Sequence, residues 1–342
     1  MGLPFITSNP HTIYTLPQFW VTFMKADALV QLDHLFRQQN SSKLSRVYQT
    51  ARIAVAGGAG GLGKSIVEAI RKASKHHVVI LSRHEQQDPT AVVIDYSSVQ
   101  NLKSILEREN VDTVISTIGA YTQVHHQSQL NLIEAAELAP SVKRFIPSEF
   151  GFKIGPEHVD RSPSFPFKID TVHRLERSPL EFTLIHTGVY LFHLGLNLAA
   201  IPGDGNRILA FTHTKDVGEF VSLVLDLPKW ERRYYGYADR LTLNDVVKVI
   251  EEVKGVKLDV TYDSRDALNR GECTLLPGPT ESEFRDSKFD GQVLFRAYLA
   301  KLGSIVDDGL ADLDAPVPIK ETFPTYHPLT VRGAVEKWFA AD

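Results

Sequence analysis

The residues of this chain best suited to chemistry form a glycine cluster between a β-favouring run, Ile53–Ala56, and a helical pattern. Glycines stand at positions 57, 60 and 63, which is the G-x-x-G-x-x-G spacing. Such a turn brings unpaired backbone N–H groups to a helix start, where the helix dipole also favours an anion. Glycine permits the tight turn and the close approach of a diphosphate. The alternative is a glycine-rich turn without a ligand. The residues expected to hold a dinucleotide diphosphate are Gly57, Gly60, Gly61, Leu62 and Gly63.

Short β-favouring runs alternate with helical patterns from Ile53 to Pro147. This alternation predicts right-handed βαβ crossovers and a parallel sheet, so we expect an α/β protein with a Rossmann-type, doubly wound sheet. After Phe150 the pattern loosens. Before that point we expect a helix at Ser128–Leu138. After it we expect a loop at Phe152–Pro166, a helix at Phe167–Arg177 and a strand at Phe182–His186.

Three segments are expected along the chain. Residues 51–200 would form the NAD(P)-binding domain, and residues 201–342 a smaller C-terminal substrate-binding lobe interleaved with it. Residues 1–50 precede the first βα unit and match nothing in its pattern. They could be an extension that packs on the domain, a segment specific to this protein or a mispredicted gene start.

The end of the second expected strand indicates which dinucleotide is bound. NAD-specific sites usually carry an acidic residue here, on the ribose 2′-hydroxyl, but this chain has Ser82 and Arg83. An arginine can pair with a 2′-phosphate, and a serine hydroxyl can add a hydrogen bond. We therefore expect NADPH (or NADP) as the cofactor rather than NADH. The alternative is that Arg83 is a solvated loop residue.

Further strand ends are expected at the same edge of the sheet, because ligands of parallel sheets bind at the carboxyl ends of the strands. Asp95 and Tyr96 could contact the adenine. The alternative for each strand-end residue is that it only shapes its turn and contacts no ligand. The other candidates for contact with the diphosphate or the nicotinamide are Thr117, Ile118, Gly119, Ser148, Glu149 and Phe150.

Composition excludes several classes of function. The chain has 342 residues, 37 Lys plus Arg against 41 Asp plus Glu, and a net charge of -4, which gives no nucleic-acid footprint. The lone Cys273 permits no internal disulfide, which fits a reducing, cytoplasmic location. No apolar run predicts a membrane span. The pairs His76-His77 and His125-His126 lack helical ligand spacing, so we interpret them as surface histidines and expect no metal site.

Five motifs lie along the chain: the glycine turn, Val111–Gly119, Gln129–Ala136, Val142–Gly151 and Thr212–Val217. The Tyr-x-x-x-Lys pair of many short-chain dehydrogenases is absent. From about Arg52 to Tyr262, these motifs together resemble the NmrA-like, isoflavone-reductase-like group of atypical short-chain dehydrogenases. We count Gln129, in the third motif, among the cofactor-binding residues.

The resemblance implies that Lys168, at the start of a helix after the Ser-Glu-Phe-Gly segment, is the general acid/base and lies against the cofactor. Glu176 follows eight residues later, as in that group. A lysine acts in this way near neutral pH only where burial or a neighbouring cation lowers its pKa. His173-Arg174 stands where the plant members usually have two arginines, so the plant substrates do not transfer.

The expected function is therefore the NADPH-dependent reduction of a small, aromatic or polyketide-like metabolite by a monomer or homodimer, without nucleic-acid or membrane partners. One alternative is a redox sensor that binds the dinucleotide, reduces nothing and docks on a transcription factor. Another keeps the cofactor but carries out an isomerisation or dehydration. Lys168 favours an enzyme, because a sensor needs no acid/base at that position.

Overall fold

The computed structural model describes residues 50–190, 197–276, 291–314 and 319–340, and a six-stranded parallel sheet lies at its centre. The expectation for residues 1–50 falls outside this range, apart from Thr50. The strands are β1 Arg52–Ala56, β2 His77–Ser82, β3 Ala91–Val93, β4 Thr113–Ser116, β5 Arg144–Ile146 and β6 Glu181–Phe182. Their order in the sheet is β3-β2-β1-β4-β5-β6, and every neighbouring pair is parallel.

Helices cover both faces of this sheet, because alternate residues of each strand point to opposite faces. In β1, Ala54 belongs to the core on one face and Ile53 to the core on the other, and both are fully buried. The helices are α1 Gly61–Ala73, α2 Val99–Arg108, α3 Gln123–Leu138, α4 Phe165–Glu176 and α5 Thr214–Leu225. The first core is closed by α2, α3 and α4, and the second by α1 and α5. The expected Rossmann-type, doubly wound fold is confirmed.

The remaining strands form three small sheets. Leu184–His186 (β7) pairs with Arg233–Tyr235 (β11), and Leu198–Pro202 (β9) pairs with Asp259–Asp263 (β13). The third sheet has the order β12-β10-β8. Its strands, and the helices of this part, are β8 Val189–Tyr190, β10 Ile208–Thr212, β12 Asp239–Thr242, α6 Leu243–Lys254, α7 Arg265–Asn269, α8 Gly291–Asp307, α9 Ile319–Thr322 and α10 Val331–Phe339.

Several expected boundaries were wrong. Helix α3 begins at Gln123 rather than Ser128, because the Thr122 side chain caps it by accepting a hydrogen bond from the His125 N–H at 3.3 Å. The loop Phe152–Pro166 contains a 3-10 helix, Pro156–Arg161, and its last two residues already belong to α4. The run Phe182–His186 is divided at Thr183 between β6 and β7, which pair with different strands.

The domain boundary expected at residue 200 does not separate the layers of the fold. Helix α5 follows that boundary, yet its Phe220, Val221 and Val224 are fully buried in the core shared with β1 and α1. Gly218 allows this close packing, since a Cβ there would collide with the carbonyl oxygen of Ser65 in α1. Across the described ranges, no helix has the length and apolar character needed to cross a membrane.

Candidate functional site

The glycine turn connects β1 to α1 at the carboxyl edge of the sheet. Gly57 and Gly61 have φ values of 80° and 50°, a left-handed conformation that favours glycine. Gly63 is required for a different reason, because a Cβ there would collide with the carbonyl oxygen of Gly57 and lie 2.7 Å from the Oγ1 of Thr117. The spacing of the glycines therefore corresponds to a tightly closed turn.

The start of α1 is open. Its N-cap, Gly60, offers no side-chain hydrogen bond, and the first turn carries no acidic residue. A Cβ on Gly60 or Gly61 would meet nothing within 4 Å. The N–H groups of Gly61, Leu62 and Gly63 find no acceptor within the described part of the chain. Free N–H donors, a positive helix end and open space together suit an anion such as a diphosphate.

Thr117, at the end of β4, lies under this turn. Its hydroxyl donates to the carbonyl oxygen of Ala56 at 2.7 Å, and a Cβ on Gly57 would lie 2.6 Å from the Thr117 Oγ1. Ile118 is half-buried against the core, and a Cβ on Gly119 would collide with the ring of Tyr121. Of the three residues expected at the end of β4, Thr117 therefore contacts the glycine turn, and Ile118 and Gly119 follow it along the chain.

Ser82 is the last residue of β2, next to β1, and Arg83 follows it. Ser82 is buried, and its hydroxyl oxygen accepts hydrogen bonds from the His84 N–H at 3.3 Å and the Gln86 side chain at 3.1 Å. Arg83 is exposed and makes no ion pair with any described residue. A guanidinium without a carboxylate partner remains available for a phosphate.

Lys168 lies in the first turns of α4, beside the end of β5. Its Nζ donates a hydrogen bond to the carbonyl oxygen of Ser148 at 3.0 Å, and it lies 3.8 Å from Oε1 of Glu149. Its side chain is 17% exposed, so the ammonium is partly removed from water but still reachable. Phe150, next along the chain, is half-buried against the core beneath α1. The structure therefore brings Lys168, Ser148 and Glu149 close together.

Gln129 and Glu149 lie inside the protein. The side-chain oxygen of Gln129 accepts from the Ser148 N–H at 3.1 Å, and its nitrogen donates to the Thr171 hydroxyl at 3.2 Å. Glu149 is 1% exposed, and burial raises the pKa of its carboxyl group. Both side chains are buried among other protein groups. We therefore expect any effect on cofactor binding to be indirect, because Gln129 positions Ser148 and Glu149 lies beside Lys168.

The expectation of surface histidines was wrong for His126, which is 5% exposed. Its Nε2 lies 3.0 Å from Asp170, and its ring stacks on Phe167 at a centroid distance of 4.9 Å. The side chain of His76 is also 5% exposed and lies 3.2 Å from Asp226. The burial of both histidines was missed because the local sequence does not show which part of the fold will cover a polar side chain.

His186, at the end of β7, was also missed. It is 1% exposed, its Nδ1 lies 3.2 Å from the carbonyl oxygen of Phe152, and its Nε2 has no partner in the described structure. Burial, followed by the nearby cations Lys168 and Arg233, lowers the pKa of His186 to about 3, so the ring is neutral. The strand-end rule that pointed to Ser148 would also have pointed to this residue.

A doubly wound parallel sheet whose first crossover starts in an open glycine turn is the architecture of a Rossmann-type dinucleotide-binding protein. Residues 49–285 match the NmrA-like family. The chain belongs to that family, as its motifs predicted.

Fungal and plant proteins are among its relatives. The oxidoreductase BOA1 of Botryotinia fuckeliana (strain B05.10) is 37% identical over 230 residues, which is 60% of this chain and 77% of that protein. The oxidoreductase swnN of Metarhizium robertsii is 28% identical over 282 residues, 67% of this chain and 81% of that protein. The structure of leucoanthocyanidin reductase from Vitis vinifera with NADPH superposes with a TM-score of 0.69 and 21% identity, covering 85% of this chain and 100% of that one.

Proposed function

We propose that the protein is an NADPH-dependent reductase of a small, aromatic or polyketide-like metabolite, with Lys168 as general acid/base. The observation that carries this proposal is the open, uncapped glycine turn on the same sheet edge as a partly buried lysine. The names of the two fungal relatives support an oxidoreductase, and the NADPH complex of the Vitis vinifera enzyme supports the cofactor.

The residues present fit a dinucleotide. The N–H groups at Gly61–Gly63 would hold the diphosphate, with Thr117 supporting the turn from below. Arg83, exposed and without an acidic partner in the described ranges, would pair with the 2′-phosphate that distinguishes NADPH from NADH. Ser82 already accepts two hydrogen bonds, so its remaining contribution is its own hydroxyl hydrogen.

NADPH, when bound, supplies a hydride for an electrophilic carbon of the substrate. The part played by this chain is proton transfer: the Lys168 ammonium gives a proton to the substrate oxygen that gains charge. The hydrogen bond from the Lys168 Nζ to the carbonyl oxygen of Ser148 fixes the orientation of the ammonium group. Because Ser148 lies two residues after the end of β5, the acid/base is positioned by the sheet as well as by α4.

A crystal structure with NADP+ tests this proposal without knowledge of the substrate. We expect the diphosphate at the start of α1 and the nicotinamide C4 facing the Lys168 Nζ. A nicotinamide bound away from Lys168 would contradict the reductase and favour the redox sensor.

The substitution Lys168→Met provides the kinetic test. With deuterated NADPH and a panel of aromatic and polyketide-like carbonyl compounds, we expect deuterium transfer to product by the wild-type protein only. The affinity of the variant for NADPH, measured by fluorescence, should stay within about twofold of wild type, because a lysine acting in the chemical step contributes little to cofactor binding. Equal turnover by both proteins would remove Lys168 from the mechanism.

A further inference from the structure

Tyr121 is a large aromatic side chain that the fold leaves exposed near the carboxyl edge of the sheet. It lies in the loop after β4, four residues beyond Thr117, and 61% of it is exposed. Val124, three residues further on in the first turn of α3, is 68% exposed. Neighbouring apolar groups that remain exposed mark surfaces that bind a ligand or a partner. The surroundings of Tyr121 should therefore indicate what covers it.

Three aromatic rings meet at Tyr121. Its ring centroid lies 6.4 Å from that of His125 in α3 and 6.4 Å from that of Tyr298 in α8, and both pairs are edge-to-face with an interplanar angle of 83°. The Tyr121 ring also lies against Gly119, where a Cβ would be 2.4 Å from its Cε2. Tyr121, His125 and Tyr298 therefore form one aromatic cluster, built from the loop after β4, from α3 and from α8.

His126 fixes the start of α3 beside the start of α4. Its ring stacks on Phe167 at a centroid distance of 4.9 Å, and its Nε2 lies 3.0 Å from Oδ2 of Asp170. Phe167 and Asp170 stand on either side of Lys168 in the sequence of α4. Because His125 directly precedes His126, the aromatic cluster lies at the same end of the fold as Lys168.

Tyr190 provides a second link between the aromatic cluster and the lysine. Its hydroxyl donates a hydrogen bond to the carbonyl oxygen of Phe150 at 3.2 Å. Burial raises the pKa of Tyr190, and the nearby Tyr121 adds to that rise. Phe150 follows two residues after Ser148, whose carbonyl oxygen accepts the hydrogen bond from Lys168. Both links place Tyr121 near the end of β5, where the proposed acid/base lies.

We propose that the aromatic cluster is the substrate-binding wall of the site, and that it receives a planar aromatic ring of the substrate. This inference rests on the proposed function and narrows it, because it requires an aromatic rather than a saturated, polyketide-like substrate. Aromatic rings favour edge-to-face and offset contacts with one another, and the exposed surface of Tyr121 leaves room for a further ring. Ligand pockets combine such apolar walls with a few polar groups that set orientation, and the polar group here is Lys168.

An NMR titration of the full-length, NADP+-loaded protein with 2-naphthol tests the proposal, with its saturated analogue decahydro-2-naphthol as the comparison probe. We expect nuclear Overhauser contacts between bound 2-naphthol and the Tyr121 ring. Tyr121→Leu keeps an apolar side chain but removes the ring, and it should weaken 2-naphthol binding by about 2- to 12-fold, as for a lost aromatic pair. Binding of the saturated analogue, which forms no such pair, should change by less than about 1.5-fold.

Two further variants serve as controls. Tyr121→Phe keeps the ring and should bind 2-naphthol like the wild type. Tyr262→Leu makes the same change at a tyrosine of β13 that is 51% exposed and whose hydroxyl donates to Asn244 at 2.9 Å, and it should affect neither probe.

The proposal would be overturned if 2-naphthol did not bind, or if wild type and Tyr121→Leu bound it equally. Equal losses for both probes would overturn it as well, since they would show an apolar contact without preference for a ring. If Tyr121→Leu does not fold, the wild type still decides, because a bound probe without contacts to the Tyr121 ring has the same meaning. Failure of the proposed function is a separate result: NADP+ bound away from Lys168 would refute the reductase, whereas the titration repeated without NADP+ still reports on the aromatic cluster.

Discussion

At the scale of single residues, the glycines of the turn have three different roles. Gly57 and Gly61 adopt a left-handed backbone conformation. Gly63 allows the start of α1 to approach the carbonyl oxygen of Gly57, and Gly60 leaves the space in front of α1 open. The spacing predicted that these residues act together, because a glycine cluster between a strand and a helix has few other uses. The separate roles could not be predicted, since they depend on where Thr117 and Gly57 lie around Gly63.

Arg83 allows a test of cofactor preference. Its guanidinium is exposed and makes no ion pair with the residues that the structure describes. We predict that Arg83→Ala weakens NADPH binding by about 10-fold or more, as expected for a lost charge-assisted hydrogen bond. Binding of NADH, which lacks the 2′-phosphate, should change by less than about twofold. Fluorescence titrations with both nucleotides measure the difference.

A matched control for this test is Arg108→Ala, which removes an exposed arginine at the end of α2. It should affect neither nucleotide. If Arg83→Ala reduced the affinities for NADPH and NADH equally, Arg83 would not be the residue that selects the 2′-phosphate.

At the scale of secondary-structure elements, two buried residues of α3 hold α4 and hence Lys168. Gln129 joins the Ser148 N–H to the Thr171 hydroxyl, and His126 pairs with Asp170. The sequence predicted that both helices exist, because their apolar residues repeat with helical spacing. It did not predict these links, which are formed by polar residues that nothing in the local pattern marks as buried.

We predict that Gln129→Leu lowers the free energy of unfolding by about 1 to 3 kcal/mol, because it leaves the part-buried Ser148 N–H without its acceptor. The Thr171 hydroxyl loses the Gln129 donor but keeps its bond to the Phe167 carbonyl oxygen at 2.9 Å. The substitution should also reduce kcat, since Lys168 loses part of its support. Urea unfolding measures the first effect. The control is Gln127→Leu, the same change on the exposed side of α3, where the side chain donates a hydrogen bond to Asn131 at 2.8 Å. Equal destabilisation by both variants would show that the link is unimportant.

At the scale of the whole molecule, segments distant in sequence complete the Rossmann-type layers. Asp216 of α5 is buried and accepts hydrogen bonds from the Tyr326 hydroxyl and from the Leu329 N–H at 3.1 Å. The C-terminal part is thereby tied to α5, which itself packs on α1.

The sequence predicted the α/β fold and the family correctly, because alternating patterns and motifs are local. The packing of α5 on α1 could not be predicted, because it depends on Gly218 meeting a segment some 150 residues earlier. The substrate could not be predicted from the sequence for the same reason. It depends on side chains that come together only in the folded chain.

The central claim is that the open start of α1 binds a dinucleotide diphosphate, and Gly60→Asp can separate binding from folding. Gly60 has the extended φ and ψ of an N-cap, -148° and 166°. An aspartate there can cap the free N–H groups of α1, so the free energy of unfolding should stay the same or rise by a few tenths of a kcal/mol. The same carboxylate would occupy the anion position and repel the diphosphate.

Calorimetric titration of NADPH into the wild-type protein and Gly60→Asp is therefore the most direct test. We predict a saturable heat of binding for the wild type and an affinity at least about 100-fold lower for the variant, since like charges in contact cost several kcal/mol. No heat of binding with folded wild-type protein, or the same affinity in both proteins, would contradict the account.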